Sequence, residues 1–251
     1  MTALAVEDRD GARWIRLSRP PANVLDLDAI AELEGALRSL ADRKDVKAVV
    51  LASAVPGVFS GGVDVRDHEP AHVPAMLTAF HGLLLRLDRL PQPVIAAVDG
   101  PCLGGGCELA AFCDVVLATP RSIFGQPEID VGCFPPGASV VLPRIAGRAA
   151  AEMILTGRPI PATEAFRIGL VSRVVEDVEA EAARLAADFR SKSAPVLSLA
   201  RRAVRHGAEG PVAEALAAAE TIYRDELMKT QDALEGVKAF LEKRRPAWRD
   251  E

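Results

Sequence analysis

Aromatic residues are scarce in this chain. One tyrosine, two tryptophans and eight phenylalanines are spread over 251 residues, so a core has to be packed from Leu, Val, Ile and Ala. A chain of this length buries roughly 70–75% of its unfolded surface and needs neither disulfides nor metal to hold together. Long apolar runs are missing too. No stretch approaches the roughly 20 residues needed to span a bilayer, so no membrane partner is expected. Excess positive charge is also lacking: 30 Lys and Arg face 35 Asp and Glu, a net charge of −5. Nucleic-acid binding usually leaves a basic footprint, and none is expected here. Two local basic clusters, Lys243 to Arg245 and Arg201, Arg202 and Arg205, read as solvated helix faces.

Cysteine is sparse and its spacing is uninformative for metals. Cys102, Cys107, Cys113 and Cys133 match no zinc pattern, and the few histidines lie far from them. No metal site is expected. Three of the four sit in one apolar stretch, where a free thiol behaves as a small hydrophobe. A reducing compartment suits them. The start, Met1 to Asp10, lacks the charged opening and apolar run of a secretory signal. A cytoplasmic location is the expectation.

Periodicity supplies the class. Asp10-Gly11 separates two β-prone runs, Leu4 to Glu7 and Ala12 to Leu17, and predicts a hairpin. Asp26 or Asp28 can cap a helix whose apolar face is Ile30, Leu33, Leu37 and Leu40. Val46 to Leu51 predicts a buried strand leading into a glycine-containing loop, Ser53 to Asp64. A helix from about Ala75 to Leu90 stops at Pro91 and Pro93. Strand Val94 to Val98, helix Gly104 to Phe112 and strand Val115 to Ala118 follow. Beyond about Arg158 only Val171 to Val175 looks β-prone, and four helices are expected: Glu179 to Phe189, Val196 to Arg205, Val212 to Leu227 and Ala233 to Arg244. The order points to an α/β body followed by a helical C-terminal region.

Two acidic residues stand where acids are least expected. Glu108 follows a triple glycine in Leu103-Gly104-Gly105-Gly106-Cys107-Glu108-Leu109-Ala110, and Glu128 follows a turn in Phe124-Gly125-Gln126-Pro127-Glu128-Ile129. Neither has a basic residue within four positions. A buried carboxylate without a partner is costly, so it shifts its pKa or is kept for chemistry. The triple glycine leaves the first N–H groups of a helix uncovered, and these favour negative charge. Residues three apart share a helix face, which puts the Glu108 carboxylate about one turn from a ligand held at Gly105. The blander alternative, a tight glycine turn with Glu108 on a wet face, sits badly with Cys107, Leu109, Ala110 and Phe112. The dinucleotide fingerprint fails, because it needs glycine where Cys107 or Leu109 stands, and no Lys-Ser or Lys-Thr completes a P-loop.

A second glycine segment, Phe59-Ser60-Gly61-Gly62-Val63-Asp64, permits close backbone approach, and the Val63 N–H can supply another donor. Alone it reads equally well as a strand-closing turn. Paired with Gly105 it provides the two preorganised donors an oxyanion hole requires. In the third segment Pro127 rigidifies the approach to Glu128, and Phe134-Pro135-Pro136-Gly137 begins an inflexible wall; taken alone, the segment reads equally well as a surface loop with a solvated Glu128.

Together these segments resemble the crotonase (enoyl-CoA hydratase/isomerase) superfamily. The resemblance runs from Arg19-Pro20-Pro21-Ala22-Asn23-Val24-Leu25, through Phe59 to Asp64 and Pro93 to Gly100, to the two glutamate motifs, and ends at Glu235 to Arg244. It implies a spiral of ββα turns over residues 1–190 and a helical trimerisation region over 191–251. It implies a homo-oligomer, a trimer or a dimer of trimers, acting on an acyl-CoA thioester with no separate cofactor, since coenzyme A is part of the substrate. The thioester oxygen would lie between the N–H groups of Val63 and Gly105. The adenine end would lie near Val24 and the Gly62, Asp64 and Val65 loop, with Phe240 and Lys243 of a neighbouring subunit at the nucleotide. Glu108 and Glu128 would hold one water and add it across the double bond, Glu108 deprotonating the water and Glu128 protonating carbon. Family isomerases commonly keep only the second glutamate, so Glu108 favours hydration over isomerisation or another lyase or hydrolase reaction. A non-catalytic scaffold binding CoA esters or RNA is the alternative of another class, and both glutamates speak against it. The run Phe134 to Arg144 and the tail Tyr223 to Met228 look more like the cyclohexa-1,5-diene-1-carbonyl-CoA hydratases than like straight-chain hydratases.

Overall fold

The chain folds as repeated strand–strand–helix units. The computed structural model describes residues 2–208 and 210–251. It opens with the expected hairpin, β1 (Leu4–Arg9) and β2 (Ala12–Leu17). Asp10 and Gly11 between them both take positive φ, 53° and 75°, the geometry a two-residue turn needs to match strand twist. Four units follow a common plan. β2, β3 (Val24–Leu25) and α1 (Leu27–Arg38) form the first, and β4 (Ala48–Ser53), β5 (Gly62–Val63) and α2 (Val73–Arg89) the second. β6 (Val94–Val98), β7 (Pro101–Leu103) and α3 (Gly105–Ala111) form the third. β8 (Val115–Ala118), β9 (Ile123–Gly125) and α4 (Pro136–Ala146) complete the set. This is the spiral that the resemblance implies.

The rest of the chain is mainly helical: α5 (Arg148–Thr156), β10 (Ile160–Pro161), α6 (Ala162–Arg167), β11 (Arg173–Val174) and α7 (Val178–Arg190) precede α8 (Ala194–Gly207), α9 (Val212–Asp225) and α10 (Gln231–Leu241). The expected division after residue 190 falls between α7 and α8. The first strand of each unit enters one six-stranded sheet, ordered β1-β2-β4-β6-β8-β11, and all neighbours but β1 and β2 run parallel. The second strands make a lesser layer, β3 with β5 and β7 with β9 and β10, and a Ser60–Cys102 bridge joins its halves.

Both faces of the central strands β4, β6 and β8 are buried, which is why they read as unbroken apolar runs. Along β4 the side chains alternate. Val49 and Leu51 enter the main core with α1 and α2, while Ala48, Val50 and Ala52 face Val178, Ala182 and Leu185 of α7. That strand starts two residues later than its sequence pattern suggests, because Val46 N–H turns back to Arg43 O. Asp26 rather than Asp28 caps α1, accepting from Ala29 N. α4 occupies residues expected only as a proline wall, and α5 follows where no element was expected. Pro136 sits at the first position of α4, where a missing N–H costs nothing and the ring's fixed φ favours helix initiation.

One expectation needs correcting. Arg201 is not on a solvated face; it is 7% exposed. Its guanidinium pairs with Asp114 at 2.7 Å and donates to the carbonyl oxygens of Leu87, Asp88 and Leu90 at the end of α2. Those are the orphan carbonyls that any helix C-terminus must satisfy, so Arg201 ties the C-terminal helices to the sheet. Arg205 joins it on Asp114.

Candidate active site

The triple glycine begins α3 as the sequence predicts. Gly104 precedes it with φ 50° and ψ −128°, a backbone that side chains with a Cβ seldom adopt. From there the main chain of α3 lies directly on the loop before β5. A Cβ on Gly62 would stand 3.0 Å from Gly105 N, and one on Gly105 would stand 3.2 Å from Val63 N. The structure therefore brings Val63 and Gly105 together. Gly62 N–H goes to Ser60 Oγ at 3.1 Å and Asp64 N–H to Leu25 O at 3.0 Å. Strand alternation turns the Val63 N–H the other way. Gly105 is the first residue of its helix, so its N–H has no partner within the helix. Two donors thus face one cavity of about 510 Å³, lined by Val63, Gly105, Glu108 and Glu128.

Both glutamates converge on that cavity. Glu108 is 4% exposed. Its Oε1 accepts from Ala138 N at 2.6 Å, and the Gly137 N–H also favours its charged form. The first turn of α4 therefore serves as an anion seat for a carboxylate on α3. Burial nevertheless dominates and raises the Glu108 pKa from 4.5 to about 7, with the charge of Glu128 pushing the same way. Glu128 stands on a helical turn, Pro127–Val131. Burial raises its pKa too, against its own backbone hydrogen bond and the charge of His68. Like charges in one desolvated space disfavour double ionisation, so the pair is suited to sharing a proton.

Sequence reasoning missed the residues that seat these acids. Gln126 is fully buried. Two carboxylate oxygens only accept, so its amide nitrogen faces them and donates to Glu128 Oε1 and Oε2 at 3.2 Å each. Its place in the Gly125-Gln126-Pro127-Glu128 run was visible, but its partner depends on the fold. Gly104 and Gly137 leave room for the carboxylates: a Cβ on either would stand 2.8 Å from Glu128 Oε1 or Glu108 Oε1 respectively. Gly137→Ala should raise local helix propensity yet displace Glu108. The expected result is an intact fold by circular dichroism with turnover reduced on the order of 10-fold. Asn23 was also missed. Its Nδ2 bonds Ser53 Oγ at 2.7 Å and Phe59 O at 2.9 Å, and its Oδ1 accepts from Arg19 N at 2.7 Å, which fixes the loop before β5.

The other expected binding residues are distributed unevenly. Gly62 and Val65 line the cavity; Val24 and Asp64 flank it without lining it. The Asp64 carboxylate is occupied by Arg66, at 2.6 Å, which lowers its pKa to about 2. Phe240, on α10, is 83% exposed, and neither it nor Lys243 reaches the cavity within one chain. A larger cleft of about 650 Å³ opens at the ends of β4, β6 and β8. There Asp99 pairs with Arg121, Glu179 with Arg16 beside the cleft, and Asp177 caps α7 by accepting from Ala180 N. Among the described residues, no group of three or more His, Cys, Asp or Glu is placed to hold a metal ion.

With this geometry in hand, comparison with known proteins is informative. A family model described as enoyl-CoA hydratase/isomerase matches residues 7–251. The chain is 41% identical over 244 residues to a cyclohexa-1,5-dienecarbonyl-CoA hydratase of Thauera aromatica, covering 96% of this chain and 94% of that one. It is 39% identical over 248 residues to a probable enoyl-CoA hydratase of Rhizobium meliloti, covering 96% of each. A crystal structure of an enoyl-CoA hydratase from Bacillus anthracis superposes with a TM-score of 0.93 at 31% identity, covering 99% of this chain and 100% of that one.

Proposed function

The chain belongs to the enoyl-CoA hydratase/isomerase family, and from that premise we infer that it adds water across the double bond of an unsaturated acyl-CoA thioester. The observation that carries this is the meeting of Glu108, Glu128 and the Val63 and Gly105 backbone in one cavity. As water adds, negative charge develops on the thioester oxygen. The Val63 and Gly105 N–H groups meet it there, and a preorganised donor of this kind contributes roughly 3–4 kcal/mol. Ionised Glu108, seated by the α4 N–H groups, takes a proton from the water. Glu128 delivers a proton to carbon. Positioned acid/base groups add on the order of 10²- to 10⁴-fold each.

The acyl group is the finer question. The reading favoured here is a cyclic conjugated dienoyl thioester. Support comes from the Thauera aromatica relative, named for such a substrate, and from the cavity wall, to which Phe134, Pro135 and Pro136 give rigid bulk. A homo-oligomer, trimeric or a dimer of trimers, completes the reading. Its support is the exposed apolar face of the C-terminal helices, with Val212, Leu216, Val237 and Phe240 all more than half exposed. The four free cysteines favour a reducing compartment such as the cytoplasm, and no helix among the described residues is long and apolar enough to cross a membrane.

The test is a product assay by mass spectrometry on crotonyl-CoA and cyclohexa-1,5-diene-1-carbonyl-CoA side by side. Gain of one water on the cyclic diene, with little on crotonyl-CoA, is the expected result. Fast hydration of crotonyl-CoA alone would make this a straight-chain hydratase, and no gain on either would remove the hydration reading.

A further inference from the structure

Two of the chain's four histidines, His68 and His81, line the cavity, and the hydration chemistry above uses neither. His68 ends the helical turn Val65–His68, which begins two residues after the oxyanion donor Val63. Asp64 caps that turn through its side chain, accepting from Arg66 N at 2.9 Å, so the ring's seat is tied to the oxyanion strand. The ring itself is held by Nδ1, 3.1 Å from the carbonyl oxygen of Asp64. A carbonyl oxygen can only accept. Nδ1 therefore carries the proton, and in the neutral ring Nε2 keeps a bare lone pair.

Among the described residues Nε2 has no hydrogen-bond partner, and the His81 ring has none. The cavity they share is lined by Val63, Met76, Leu77, Phe80 and Phe134 as well as by Glu108, Glu128 and Asp130. The ring stands close enough to Glu128 for its charged form to favour the ionised carboxylate. His68 and Glu128 line the same cavity.

We propose that His68 is a specificity-determining residue, its Nε2 accepting a hydrogen bond from a hydroxyl group on the acyl chain beyond the reacting double bond. The proposal rests on the hydratase reading and deepens its acyl group, cyclic or open, to one that carries a hydroxyl: hydroxylated unsaturated acyl-CoA thioesters. An acceptor left unpaired against a plain hydrocarbon is a penalty that a hydroxylated substrate relieves.

The experiment uses two matched pairs: crotonyl-CoA with its γ-hydroxy analogue, and cyclohexa-1,5-diene-1-carbonyl-CoA with a ring-hydroxylated analogue. The readout is the ratio of kcat/KM within each pair, which cancels any general loss of activity. The wild type is expected to favour the hydroxylated member of at least one pair by about 3- to 10-fold. His68→Leu should bring that ratio to about 1. His68→Gln, whose side-chain carbonyl can still accept, should keep most of it. Equal rates within both pairs for the wild type, or a preference that survives in His68→Leu, would overturn the proposal while leaving hydration intact. Failure to add water to any of the four thioesters would instead bring down the hydratase reading, and this proposal with it.

Discussion

Glu108→Gln and Glu128→Gln are each expected to lower turnover at least about 100-fold while leaving thioester affinity nearly unchanged. Glutamine keeps the shape of each side chain and removes only its ability to move a proton. At position 108 its oxygen can still accept from Ala138 N, so the first turn of α4 has no reason to shift. In the proposed reaction, binding is set elsewhere, by the Val63 and Gly105 backbone and the cavity wall that they line. Affinity for acetyl-CoA, which has no double bond to hydrate, separates the two effects by calorimetry. The experiment also distinguishes mechanisms. If one carboxylate alone shuttled a proton, as in an isomerase, Glu108→Gln would stay within about tenfold of the wild type, and the two-carboxylate scheme would fail.

Glu108 should also make the protein less stable where it is most active. Its pKa in the folded chain is about 7, against 4.5 for the ordinary side chain. Between those values the folded state holds a proton that the unfolded chain has released. The stabilising contribution is therefore complete below about pH 4.5 and is lost as pH rises to about 7. A shift of this size corresponds to a loss of about 3 kcal/mol. Glu108→Gln cannot ionise, so denaturant titrations should find it more stable than the wild type above pH 7 by about 2–3 kcal/mol, with the difference shrinking toward pH 4.5. In the wild type the same ionisation should appear as an acidic limb in kcat/KM, falling about tenfold per unit below pH 7. Equal stability of the two proteins at alkaline pH would mean that Glu108 is not desolvated as described.

How much of this was legible beforehand varies with the range of the interaction. Helix α3 and strand β6 are set by local pattern, and their positions follow from the glycine run and from Val94 to Val98. The spiral order came through resemblance rather than periodicity, since two-residue strands such as β3 and β5 leave no periodic trace. Gln126 and Ala138 escaped notice because each acts on a carboxylate that the fold, not the sequence, brings near; Ala138 and Glu108 are thirty residues apart. Arg201 was misread for the same reason: its partners Asp114 and the end of α2 lie on other elements. The local rule for basic helix faces has no means of anticipating them.

The packing of main chain on main chain around the oxyanion donors has a consequence for how such a protein can change. A Cβ on Gly106 would meet Ser60 Cβ at 2.6 Å, and one on Gly62 would meet Leu103 O at 2.9 Å. No side chain separates the two strands of backbone that present Val63 and Gly105, so their spacing does not depend on the identity of residues across the cavity. Phe134 and Pro135 belong to the loop and helix start that also line the cavity. Redesign of cavity shape can therefore be confined to the wall, where a substitution leaves the backbone around Val63 and Gly105 untouched, whereas the glycines admit almost no variation.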